Sequence, residues 1–192
     1  MWWARLLNVI SGLLSGAGAP AAATSYESIQ TVSLSGSQAT VSFTSIPSTY
    51  KHLQVRLIAK TDRALNRDGI KVTYNSDTST SYVSHYLYGD GASAGAGYDY
   101  AAAFAGIYRA AGNSSATNTF GAIVYDILDY ANANKNKTGR YLGGLDVNGA
   151  GEMYLGSTLF LKTDAISSIT FAPSVGTNFL QYSSFALYGI KG

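Results

Sequence analysis

The chain has 192 residues, room for one domain with an appendage and a sizeable buried core. Only 12% of its residues are charged and the formal net charge is +2, so it has no basic footprint for nucleic acid. Cysteine is absent, which excludes disulfides and thiolate metal sites.

The opening "WWARLLNVISGLL" predicts a short helix over residues 2–14. Trp3, Leu6, Ile10 and Leu13 follow the 3-4-3 spacing of a coiled-coil seam, and Trp2, Leu7, Val9 and Leu14 widen it. So short a helix is marginal alone in water and needs a partner. "SGAGAPAAATS" at 15–25 reads as a linker. A secretion signal is a competing reading, because "APAAA" offers small residues at a cleavage-like position, but the basic leading region is nearly absent. A span is excluded by length, since a bilayer needs about 20 apolar residues. A membrane-surface anchor would want a basic polar face, which is missing. The reading taken is an assembly helix, with Trp2, Trp3, Leu6, Leu7, Ile10, Leu13 and Leu14 as docking residues.

From Tyr26 onward the period changes to two, giving a predicted domain over 26–192. In "HLQVRLIAK" (52–60), Leu53, Val55, Leu57 and Ala59 share one face, and Gln54, Arg56, Ile58 and Lys60 the other. Strands are also expected in "ATVSF" (39–43), "GIKVTY" (69–74), "YVSHYLY" (82–88), "FGAIVYDILDY" (120–130), "MYLGSTLFL" (153–161), "ISSITF" (166–171) and "SFALYGI" (184–190). Turns are expected at "SLSGSQ", "NSDTST", "NANKNKTG", "NGAGE" and "PSVGTN", and a long irregular connection over 89–119. Eight to ten short strands with this punctuation predict an all-β antiparallel β-sandwich of jelly-roll type behind the short N-terminal helix.

Several of these stretches, in this order, resemble a family of tailed-bacteriophage virion proteins: "YESIQTVSLSGSQATVSFTSIPSTYKHLQVRLIAKTD", "VTYNSDTSTSYVSHYLYGDG", "YDILDYANANKNKT" and the terminal "SFALYGIKG". The resemblance covers about residues 26–192. It implies a β-sandwich domain of a tail-fibre, minor tail or other accessory virion protein, often a homotrimer. No catalytic motif travels with it.

The residues themselves offer little chemistry. His52 and His85 each sit in a predicted strand without clustered ligands, so no metal site is expected. Asp126 and Asp129 could suggest a glycosidase pair, but i and i+3 on one strand face opposite sides. "YGDGASAGAGYDY" lacks the strand–helix context of a phosphate loop, and Asp90 and Asp99 do not repeat a known calcium loop. Tyrosines carry more weight. Tyr88, Tyr98, Tyr100 and Tyr108 are candidate receptor or subunit contacts, since Tyr supplies rigid amphipathic area. Tyr82, Tyr86 and Tyr88 share one parity, which suits filling a sandwich face instead. The expectation is a non-enzymatic virion protein without cofactor or metal. Its leading form is a short trimeric tail fibre or tail-attached adhesin. A capsid decoration protein gripping the major capsid protein is the alternative, and a glycan-cleaving enzyme the third reading. The partners expected are copies of itself, tail, baseplate or capsid proteins, and host surface glycan.

Overall fold

The structure, a computed structural model, describes residues 25–192. The predicted helix, nearly all of the linker and all seven docking residues therefore lie outside the described residues. Twelve strands follow in chain order: β1 (Tyr26–Ser33), β2 (Val41–Phe43), β3 (His52–Ala59), β4 (Arg67–Tyr74), β5 (Tyr82–Gly89), β6 (Ala94–Ala102), β7 (Ala105–Ala111), β8 (Gly121–Leu128), β9 (Lys137–Asp146), β10 (Gly151–Phe160), β11 (Ile169–Pro173) and β12 (Ser184–Ile190). Among the described residues there is no helix, hence none long and apolar enough to cross a membrane.

The strands form two antiparallel sheets packed as a β-sandwich. The larger has the order β1-β12-β3-β8-β9-β10-β5-β6, and the smaller β2-β11-β4-β7. Alternation decides which side of each strand faces the core. Leu53, Val55 and Leu57 of β3 are buried with Ile123, Tyr125 and Ile127 of β8 and Phe185 and Leu187 of β12. Val41, Phe43, Ile70, Val72, Tyr74, Ile107, Ile169 and Phe171 of the smaller sheet meet them in one continuous core. Polar links cross it: the hydroxyls of Tyr74 and Tyr125 are hydrogen-bonded, and Tyr125 also shares a 2.6 Å bond with Thr158.

Three expectations need correction. Residues 89–119 are no long irregular connection, because they hold β6 and β7. Gly- and Ala-rich β6 has Tyr98 and Tyr100 as its strand formers, and the rest of its order comes from its neighbour. Gly95 and Gly97 lie opposite Tyr88 and Tyr86, whose rings occupy the space a Cβ would need, at 2.5 and 2.4 Å. Bulky residues there would displace the rings that cover this strand.

Second, the predicted turn "NANKNKTG" ends inside β9, a strand absent from the sequence reading, as is β1. Lys137 starts β9 almost fully buried, and its ammonium donates to the carbonyls of Asn132, Lys135 and Thr163. Burial pushes its pKa down, against the pull of Asp164 and Asp129. Third, Lys60 does not join Gln54 and Arg56 on the outer face. β3 ends at Ala59, and the Lys60 ammonium turns in to the carbonyls of Ser115 and Ala116 at 3.2 and 3.0 Å.

Candidate interaction surface

The smaller sheet covers the inner face of the larger one, so the candidate surface is the larger sheet's outer face. Cross-strand register arranges it in transverse rows. One row runs Tyr188, Gln54, Asp126, Arg140, Ser157, His85, Tyr98 across seven strands. It is polar and partly knitted together: Gln54 donates to Asp126 at 2.7 Å and accepts from Arg56 at 2.9 Å and from the Tyr26 hydroxyl. The Arg56 guanidinium lies 5.3 and 5.5 Å from the ring centres of Tyr26 and Tyr188, which stack on each other.

Two residues along, the next row runs Ala186, Arg56, Val124, Leu142, Leu155, Leu87, Ala96. Beyond it come Ser184, Ile58, Ala122, Gly144, Met153, Gly89 and Ala94. Leu142, Leu155 and Leu87 are 51%, 59% and 60% exposed, and Ile58, Val124 and Met153 are exposed beside them. Met153 lies across Gly144 with its sulfur 2.6 Å from where a Cβ would stand, beside an open depression lined by Ile58, Val124 and Leu142. The exposed apolar area is on the order of 600 Å², at the upper end of the largest patch on an ordinary monomer.

Sequence reasoning missed this patch although its signal was present. In "FGAIVYDIL" and "MYLGSTLFL" both parities are apolar: Ile123, Tyr125 and Ile127 point in while Ala122 and Val124 point out, and Met153 and Leu155 flank the buried Tyr154. A strand apolar on both sides departs from the apolar-in, polar-out alternation of an antiparallel sheet with one solvated face.

The four candidate tyrosines are not brought together. Tyr98 and Tyr100 stand on the outer side of β6, 58% and 67% exposed, with rings stacked at 5.3 Å and His85 5.8 Å from Tyr98. Tyr88 and Tyr108 lie on the inner side in a cluster with Tyr86, Tyr141 and Tyr154, as the shared parity of Tyr82, Tyr86 and Tyr88 suggests. Burial drives the Tyr154 phenol up to about 12 despite the adjacent Arg109, and pushes those of Tyr108 and Tyr141 higher still. Arg109 stacks on Tyr154, 4.3 Å from its ring centre, and pairs at 2.6 Å with Glu152, which also holds Arg67. That set ties β4, β7 and β10 together across the sandwich.

The four aspartates singled out in the sequence are dispersed, whereas Asp90, Asp146 and Glu152 line one open depression beside the β9–β10 turn. Asp126 belongs to the outer polar row. Asp129 sits in the following turn with φ +49°, between Lys135 at 2.7 Å and Lys51 at 3.0 Å, which hold its carboxyl at about 2. The amide of Asp129 donates to His52 Nδ1 at 3.0 Å. Asp90 caps its own turn by accepting from Ala92 and Ser93, while Asp99 faces inward and accepts from Tyr108 at 3.3 Å. Among the described residues no three His, Cys, Asp or Glu side chains converge as metal ligands. No family model, curated protein or solved structure matches the chain.

Proposed function

We propose that the chain is a non-enzymatic structural protein of a tailed-phage virion, a homotrimeric short tail fibre or tail-attached adhesin docked through its first 14 residues. The observation that carries this reading is the exposed apolar patch on the outer face of the larger sheet. Exposed Leu, Ile, Val and Met side chains gathered on one sheet face suit a protein that works by being held against others. The dispersal of the four aspartates singled out in the sequence supports it as well. Asp90, Asp99, Asp126 and Asp129 each serve a local structural partner, and no two flank a common space as acid and base would.

The fold is read as an elaborated jelly roll. The chain crosses between the sheets around β2, β4, β7 and β11, while β5-β6 and β8-β9-β10 run on within the larger sheet, and Phe185 of β12 packs on Phe171 of β11 across the sandwich. The family resemblance over residues 26–192 supplies the virion setting.

The test is a chain lacking residues 1–20. It is expected to remain a folded, soluble sandwich and to be absent from virions, and incorporation at normal copy number refutes the docking role. Copies found on the head instead of the tail favour the decoration protein. Reducing ends released from host polysaccharide, and lost in Asp126→Asn or Asp129→Asn, overturn the non-enzymatic reading.

A further inference from the structure

We infer that the outer face of the larger sheet, centred on Val124, Leu142, Leu155 and Leu87, is buried against other copies of this chain. The inference rests on the homotrimer proposed above for the number of copies and supplies its contact surface.

Area is the first argument. The apolar rows and their immediate border approach the ~800 Å² per partner of a standard stable interface. Water contact across so many Leu, Ile and Met side chains is unfavourable, and the same faces of neighbouring copies gathered about one axis remove it from all of them at once.

Shape is the second. The patch lies over β8, β9, β10 and β5 and away from the sheet edges β1 and β6, so it is placed to meet the sheet faces of other copies rather than to add a strand. Met153 folded over Gly144 puts a pliable side chain within it.

Charge is the third. A different virion protein would ordinarily be selected by charges matched to its own. The two apolar rows contain one charged residue, Arg56, and its guanidinium is already hydrogen-bonded to Gln54 and stacked beside Tyr26 and Tyr188. A neutral apolar face with a polar row along one side is satisfied by another copy of itself. The remaining occupant, the chain's own residues 1–24, is separated from a second copy by the experiment.

The full chain is examined at micromolar concentration by light scattering coupled to size exclusion. The expected result is an assembly of three copies. Leu142→Asp and Leu155→Asp, at exposed positions, should each reduce the mass threefold to a monomer that keeps the parent's β-sheet circular dichroism. Val175→Asp, 65% exposed but on a distant loop, and deletion of residues 1–24 should both leave the assembly intact. Because the chain has no cysteine, Leu155→Cys treated with a short bis-maleimide offers a second readout and should yield covalently linked copies.

A monomeric parent, a Leu142→Asp chain that assembles like the parent, or failure of Leu155→Cys to cross-link overturns the inference. Loss of assembly on deleting 1–24 overturns it too and assigns association to that segment. A dimer in place of the trimer sustains the face and removes the threefold count. Chains that assemble this way but never enter virions refute the virion reading alone.

Discussion

Asp68 is the natural place to perturb the sandwich. Its carboxylate is fully buried and holds the loop between β3 and β4 to the loop after β11. One oxygen accepts from the amides of Gly69 at 2.8 Å and Val175 at 3.2 Å. The other accepts from the Thr61 hydroxyl and the Gly176 amide, both at 3.0 Å, and Arg63 approaches to 3.5 Å. In Asp68→Ala the amides of Val175 and Gly176 can turn to water, since Val175 is exposed. Gly69 and Thr61 are buried and cannot, and each orphaned donor costs about 1–3 kcal/mol. With the lost charge-assisted bonds the total is about 3–5 kcal/mol. At about 2–4 °C per kcal/mol for a chain of this size, melting should fall by roughly 10 °C. Asp68→Asn keeps one acceptor oxygen and should fall by about half as much. Thermal unfolding followed by circular dichroism reads both, and a melting temperature for Asp68→Ala within about 2 °C of the parent refutes the reasoning.

Val55→Asp places an unpaired carboxylate in the centre of a fully buried row and should cost about 3–5 kcal/mol, and a soluble variant with parental melting would show the β3 assignment to be wrong. Gly156→Ala puts a Cβ 2.2 Å from the buried Tyr141 ring, so a loss of about 1–3 kcal/mol is expected in urea unfolding, whereas a neutral result would mean the ring yields freely. Asp77, paired with Lys162, and Asp129, paired with Lys135 and Lys51, are each lowered from 3.8 to about 2. Their contribution is therefore complete above about pH 4 and is lost as pH falls through about 2. The double variant Asp77→Asn with Asp129→Asn should show a shallower fall in melting temperature between about pH 4 and 2, and an unchanged slope contradicts the assignment.

The sequence made the all-β class legible where one strand carries its own contrast. In β3, Leu53, Val55 and Leu57 alternate with Gln54 and Arg56, and no neighbour is needed to tell inside from outside. The misses share a cause, which is dependence on distant partners. β6 pairs with β5, whose Tyr86 and Tyr88 lay their rings over its glycines, and within "AGAGYDYAA" only Tyr98 and Tyr100 hint at a strand. Lys137 and Lys60 look like surface cations until the fold brings carbonyls from neighbouring loops to their ammonium groups. The apolar outer face was legible in part: Val124, Leu142 and Leu155 break the expected polar alternation. Placing them in one row required the pairing of β8 with β9, β9 with β10 and β10 with β5. The sequence could not supply that, because β9 was read partly as a turn.

The central claim, that this is a virion part acting through its surfaces, is tested most directly by reconstructing the virion with the chain located in it. The account predicts threefold-related copies on the tail, docked at their N-terminal ends, with Val124, Leu142, Leu155 and Leu87 enclosed between copies. Particles washed free of the chain without loss of infectivity, or copies held in place with that face open to solvent, would contradict it.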